Sequence, residues 1–125
     1  MSTKDLCFKA MDDDGQLLQE LTVLFPYHQL TVVDHLPSQL FHPELGVWFS
    51  PFASIGDAIH LIRKLNVQRF KIRVGEDRNG WYGYAKLGED RAVRQCVPHE
   101  ALASTALRWA IVRASVQHVQ SRNVK

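Results

Sequence analysis

The stretch Gln68-Arg-Phe-Lys-Ile-Arg-Val-Gly-Glu-Asp-Arg-Asn-Gly80-Trp-Tyr-Gly-Tyr-Ala-Lys-Leu87 decides the fold. Apolar and charged side chains alternate strictly over its first seven residues, which predicts a strand with one buried and one exposed face. Asn79-Gly80 is a dipeptide that favours a tight turn, and residues 81–87 supply the returning strand. The sequence therefore predicts a β-hairpin.

Two loop lengths fit this hairpin. A two-residue loop at Asn79-Gly80 pairs Val74 with Ala85, and a six-residue loop pairs Val74 with Trp81. Both loops contain an even number of residues, so both place the same side chains on each face. The face predicted to lie on the core contains Phe70, Ile72, Val74, Trp81, Gly83, Ala85 and Leu87. The opposite face contains Arg69, Lys71, Arg73, Tyr82, Tyr84 and Lys86.

A helix is predicted on each side of the hairpin. Ser54 with Asp57 three residues later is a capping signal, and apolar residues spaced by three and four then predict a helix over 55–65. The segment 98–120 predicts a longer helix that starts at Pro98, after a short strand over 92–97. Its apolar stripe covers most of the circumference, so we expect it to be packed on more than one side. Arg113 lies within that stripe and is expected to pair with an acid of the first half.

The first 46 residues are less clear. Residues 16–25 fit a helix or a strand equally well. Residues 30–34 and 47–49 suit short strands, and the prolines and glycine between these two strands predict a loop. We expect one α+β domain over residues 1–125, with an antiparallel sheet, a central hairpin packed by helices, and an arrangement like an α-β-α sandwich. Its parts are an acidic N-terminal extension (1–46), a helix-hairpin-helix core (47–118) and a frayed tail (121–125).

Length and charge set the outer bounds. A chain of 125 residues and 14.3 kDa with a net charge of +2 is one ordinary domain. Residues 1–62 contain two lysines and eight acids, a net of −6, whereas residues 63–125 contain 13 basic residues and five acids, a net of +8. The chain has neither a secretory signal pattern nor an apolar stretch that would span a bilayer, which predicts a cytoplasmic protein. Cys7 and Cys96 are then expected to be free and mostly buried thiols.

Three motifs carry a resemblance to a family. They are Pro51-Phe-Ala-Ser-Ile-Gly-Asp-Ala58, the hairpin over 67–82 with Gly80-Trp81, and the Ala-rich segment 103–114. Together they resemble the phage ABA sandwich domain family, small proteins encoded by bacteriophages and prophages, over about residues 47–118. The resemblance implies a sheet with helices against it and an origin in a phage or prophage, hence the cytoplasm of the host cell. It implies no established activity.

The absence of a catalytic motif predicts a non-enzymatic accessory protein. Together with the resemblance, this absence favours a phage protein that binds a host or defence protein, for example an anti-CRISPR-like inhibitor of a host defence complex. Acidic side chains mimic phosphates toward a basic partner, and exposed aromatic residues suit a protein interface or a homodimer contact. The candidate partner-binding residues are Asp12, Asp13, Asp14, Phe41 and Trp48.

Nucleic-acid binding is the alternative. Cations neutralise phosphates and aromatic rings stack on bases, and the polar face of the hairpin has both kinds of residue. The candidate residues for this function are Arg69, Lys71, Arg73, Tyr82, Tyr84 and Lys86.

Catalytic and metal chemistry have weaker signals. Asp34, His35 and Ser38 supply the residue types of a hydrolase triad, but the sequence has no nucleophile-elbow pattern around a serine. His28, His35 and His42 recur every seven residues, which is not a zinc-ligand spacing. We therefore expect neither an enzyme nor a bound metal or cofactor.

Overall fold

The computed structural model describes residues 5–22, 31–32, 40–42 and 47–123. Within them the chain forms an α+β domain with three helices and a four-stranded mixed sheet, which confirms the predicted fold class. The elements in chain order are β1 (Leu6–Phe8), α1 (Asp14–Thr22), β2 (Thr31–Val32), β3 (Leu40–His42), β4 (Val47–Phe49), α2 (Ile55–Lys64), β5 (Phe70–Asp77), β6 (Gly80–Leu87), β7 (Val93–Val97) and α3 (Ala103–Asn123).

The main sheet has the strand order β1-β7-β6-β5. β5, β6 and β7 are antiparallel neighbours, but β1 lies parallel to β7, with Leu6 beside Val93 and Phe8 beside Gln95. The sheet is therefore mixed and not purely antiparallel as predicted. Because β1 is in the sheet and α1 packs on the core, residues 5–22 of the predicted N-terminal extension belong to the same folded unit.

The hairpin register differs from both predicted loops. Asp77 pairs with Gly80 and Val74 with Gly83, so the two-residue loop is Arg78-Asn79. One carboxylate oxygen of Asp77 accepts hydrogen bonds from the backbone N–H groups of Asn79 (2.9 Å) and Gly80 (3.2 Å), which fixes the turn one residue earlier. The loop is still even, so the two faces contain the residues that were predicted for them.

Helix α3 packs on the sheet and on both other helices. One buried cluster joins it to α1 and to Leu61 of α2 around Trp109 and Val112. A second cluster joins α3, the sheet and Ile62 of α2 around Ala110 and Ile111. This confirms that α3 is packed on more than one side, and the three helices lie on one side of the main sheet.

Helix α3 approaches the sheet closely at Gly83 of β6. A Cβ atom at this position would lie 2.2 Å from the carbonyl oxygen of Ala106. Ala106 and Ala110 are fully buried at this contact. Small residues on both elements therefore set the distance between α3 and the sheet.

The helix ends show which capping signals work. The Ser54 side chain accepts a hydrogen bond from the N–H of Asp57 and caps α2 as predicted. Asn66 follows α2 in the left-handed region at φ 58°, a conformation that suits asparagine after a helix. Pro98 does not begin α3: its carbonyl accepts from Ala101 in a turn, and the helix starts at Ala103. The helix also continues to Asn123, into the segment predicted as a frayed tail.

A second, three-stranded sheet has the order β2-β3-β4. β2 and β4 lie within the two strands predicted from sequence, whereas β3 falls in the predicted loop. The residue types of a hydrolase triad, Asp34, His35 and Ser38, lie outside the described residues, as does His28.

Arg113 forms a buried polar network that ties the N-terminal segment to α3. Its two terminal nitrogens donate to the two carboxylate oxygens of Asp13, each at 2.8 Å. The remaining donors reach the side-chain oxygen of Gln95 and the carbonyl of Ala10, each at 2.7 Å. Arg113 is 6% exposed, so this bidentate pair confirms the predicted partnership with an acid of the first half.

Candidate anion-binding face

The side of the main sheet that faces away from α3 is polar and basic. We call it the basic face and define it by six side chains: Lys71, Arg73, Tyr82, Tyr84, Lys86 and Arg94. Among the described residues, α1, α2 and α3 all lie on the opposite side of the sheet. The candidate nucleic-acid residues of the two strands are therefore brought together on one surface that none of the described helices covers, and Arg69 directly precedes β5.

Two arginines of this face lie over tyrosine rings. The guanidinium carbon of Arg73 is 4.5 Å from the ring centre of Tyr84, and that of Arg94 is 3.8 Å from the ring centre of Tyr82. Cation–π contacts at these distances restrain the guanidinium groups and leave their N–H donors free for an anion. The tyrosines therefore act first as supports for the arginines.

Two lysines of the face are directly opposite each other. Lys71 on β5 pairs in register with Lys86 on β6. Like charges in directly opposed positions repel and destabilise the pair of strands. Within the described part of the chain, neither lysine forms an ion pair with a carboxylate, and the same holds for Arg73 and Arg94. The basic face thus has four cations without an internal counter-charge.

An open cleft of about 500 Å³ adjoins the lysine pair. Arg69 and Phe70 line one side of it and Lys86 with Gly88 the other, and the carbonyl of Arg69 accepts a hydrogen bond from Gly88 N–H at 2.7 Å. Glu89 is the acidic residue of its lining. The cleft extends the cationic surface beyond the end of the strands, which explains why Arg69 belongs with the predicted set.

Arg94 was not among the residues predicted for this face. β7 was expected as a short strand, but without its register the side of Arg94 was undetermined. Alternation along Val93–Val97, with the residues flanking Arg94 buried, is the signal that identifies it. Cys7 and Cys96 also lie on this side of the sheet; both are free thiols, and Cys7 is exposed, so the prediction that they are mostly buried is wrong.

The candidate partner-binding residues form two groups in the structure: the three consecutive aspartates at the start of α1, and a pair in the second sheet. Asp13 is occupied by Arg113, Asp12 is exposed, and Asp14 is the first residue of α1. The hydrogen bonds from Arg113, together with its positive charge, lower the pKa of the Asp13 carboxyl, against the opposing effect of burial. Phe41 on β3 is paired in register with Trp48 on β4.

Two histidines of the described residues are in contact with carboxylates. His99 lies 3.1 Å from Glu76, and His118 lies 2.8 Å from Asp90 at the far end of α3. Among the described residues no three His, Cys, Asp or Glu side chains are grouped so that they would hold a metal ion.

Comparison of the chain with protein-family models, with curated proteins and with solved structures finds no match. The resemblance to phage ABA sandwich domains therefore stays a prediction from sequence. No helix among the described residues is both long and apolar enough to span a membrane.

Proposed function

We propose that this protein binds single-stranded nucleic acid on the basic face. The observation that carries the proposal is the directly opposed pair Lys71 and Lys86 beside an open cleft. The two ammonium groups repel each other in the free protein, which costs free energy. A phosphate that binds between them removes this repulsion, so the bound state is favoured.

The stacked arginines support the same proposal. Arg73 and Arg94 are held against tyrosine rings before any ligand binds, which reduces the side-chain entropy lost on binding. Their remaining N–H donors suit phosphate, because the planar guanidinium fork can donate two parallel hydrogen bonds to two phosphate oxygens. Because these contacts recognise the phosphate backbone and not base edges, we expect weak sequence preference.

The test is binding of fluorescently labelled single-stranded RNA and DNA of mixed sequence, measured by anisotropy at several salt concentrations. Three to four phosphate contacts predict a slope of log K against log salt of about −2 to −3. Lys71→Glu is expected to weaken binding by about tenfold or more at low salt, because it removes one cation and neutralises a second.

Arg63→Glu is the matched control. Arg63 is exposed on α2, which packs on the side of the sheet opposite the basic face, and the substitution changes the net charge by the same amount. It is expected to retain most of the affinity. The proposal is rejected if the wild-type protein does not bind at low salt, or if the Lys71 and Arg63 variants lose affinity equally.

A protein partner is the second proposal. Its structural support is the register of the second sheet, which places Phe41 opposite Trp48 and so brings two of the candidate residues together. In this proposal the chain is a phage or prophage accessory protein that acts in the host cytoplasm on a host or defence protein. Two free thiols are compatible with a reducing compartment.

Affinity capture from bacterial lysate, with and without nuclease, separates the two proposals. A protein captured in a nuclease-resistant manner and lost with Phe41→Ala and Trp48→Ala supports the protein partner. Capture that disappears after nuclease treatment supports the basic face instead.

A further inference from the structure

Strand β5 is an edge of the main sheet, and one row of its backbone groups lacks a partner among the described residues. The carbonyl of Arg69 accepts from Gly88 and Asp77 closes the turn with Gly80, so the odd-numbered residues of this segment bond to β6. The N–H and C=O groups of the even-numbered residues therefore point to the free edge. These residues are Phe70, Ile72, Val74 and Glu76.

Apolar side chains accompany this free edge. Phe70 is 42% exposed and Val74 is 45% exposed, although both lie on the side of the sheet that faces α3. Helix α3 covers β6 and β7 more fully than β5, so the prediction that Phe70 and Val74 are buried is wrong even though their face is right. A long edge strand with exposed apolar residues is a template for another strand.

We propose that the β5 edge pairs with the β5 edge of a second copy of this chain, antiparallel about a twofold axis at Val74. Hydrogen bonding requires the even-numbered residues of the two strands to face each other. In the Val74-centred register, Lys71 of each copy lies opposite Asp77 of the other, and no two like charges are opposed.

The neighbouring registers are less favourable. Centring the axis on Arg73 places two arginines opposite each other, and centring it on Ile72 places Lys71 opposite Arg73. Centring it on Gly75 places Arg73 opposite Asp77 but leaves a shorter overlap, and both this register and the Val74-centred one place an apolar residue opposite Glu76. Charge complementarity along β5 therefore favours a second copy as the occupant, and the longer overlap selects the Val74-centred register.

Disulfide trapping tests the register directly. Residues that face each other in a hydrogen-bonded pair have Cα atoms about 5.5 Å apart, within the range that a disulfide spans. In a background with Cys7→Ser and Cys96→Ser, Val74→Cys is expected to form a covalent dimer under mild oxidation. Arg73→Cys is the matched control, because its two copies are diagonal neighbours about 7–8 Å apart and are expected to stay uncrosslinked.

Sedimentation equilibrium of the native sequence measures the association itself. Val74→Pro removes an N–H that forms no hydrogen bond with another described residue, and Val74→Lys places two ammonium groups at the twofold axis. Both variants are expected to weaken self-association by about tenfold or more, and if the proline variant misfolds the lysine variant decides. A monomer at all concentrations, an unchanged dimer in Val74→Lys, or crosslinking in Arg73→Cys instead of Val74→Cys overturns the proposal. Binding of nucleic acid is a separate measurement and does not bear on these outcomes.

Discussion

The two faces of the main sheet differ in whether the arginines packed on them are neutralised. On the inner face Arg113 lies over Phe8, and its donors are taken up by Asp13, Gln95 and a carbonyl. On the outer face Arg73 also lies over an aromatic ring, but no described carboxylate neutralises it. Within the described part of the chain, the buried cation is thus neutralised and the cations of the basic face have no counter-charge, which is the arrangement expected of a surface that receives an anion from outside.

The largest difference between the faces is expected from removing one arginine on each. Arg113→Ala leaves the buried side-chain oxygen of Gln95 and the carboxylate of Asp13 without the donor that they share and is expected to lower the free energy of unfolding by about 3–5 kcal/mol. Arg73→Ala is expected to lower it by less than about 1 kcal/mol, the value of an exposed cation–π contact. Urea unfolding followed by circular dichroism measures both, and equal losses would contradict the contrast.

Glycine substitutions test how closely each face is packed. Gly83→Ala places a Cβ against the backbone of α3, which cannot shift locally. It is expected to lower the free energy of unfolding by about 3 kcal/mol. Gly75→Ala on the outer face meets only the ring of Tyr82, which rotates away, so we expect a cost below about 1 kcal/mol. Thermal unfolding of the two variants provides the comparison. A Gly83 variant as stable as the wild type would show that the close approach of α3 is not maintained.

A smaller effect is expected on the inner face, where the Asp13–Arg113 pair makes the stability of the protein sensitive to acid. Because Arg113 lowers the pKa of Asp13 in the folded protein, the pair contributes stability above the unfolded pKa. That contribution is lost as the pH falls through the lower, folded pKa. Asp13→Asn is expected to be less stable than wild type at neutral pH and to lose less on acidification, as measured by urea unfolding at a series of pH values. If the stability of the two proteins depended on pH in the same way, the Asp13–Arg113 pair would not be a cause of acid sensitivity.

The smallest effect is expected to have the opposite sign. At a protein concentration where the chain is monomeric, Lys71→Glu replaces a repulsive pair with an attractive one opposite Lys86 and is expected to stabilise the protein by about 0.5 kcal/mol at low salt. The gain should disappear at high salt because exposed charges are screened. A destabilised variant would mean that Lys71 has a structural partner, and the argument for an anion site would weaken.

Local patterns predicted the helix-hairpin-helix core well. The alternation over 68–74 and 81–87 determined which residues share a face, because any even loop gives the same answer. The capping signal at Ser54 and the broad apolar stripe of α3 were equally local and were confirmed. The turn itself was misplaced because the Asp77 side chain, and not Asn79-Gly80, fixes it.

What could not be predicted depends on contacts between distant segments. The place of β1 beside β7, the identity of the acid that meets Arg113, and the presence of Arg94 on the basic face all require the sheet order. Burial of β5 was also overestimated, since the pattern of Phe70 and Val74 shows a face but not how far α3 extends over it. The sequence identified the basic residues of the hairpin. It did not show whether a helix covers that face of the sheet.

The parallel pairing of β1 with β7 also sets an order of events during synthesis. Leu6 leaves the ribosome well before its neighbour Val93 has been translated. The same delay applies to Asp13, which waits for Arg113 one hundred residues later. Closing such long loops costs chain entropy that local contacts do not repay, so β1 is expected to dock after the hairpin has formed. Until Arg113 has been made, Asp13 is an anion without the counter-charge that it has in the folded protein.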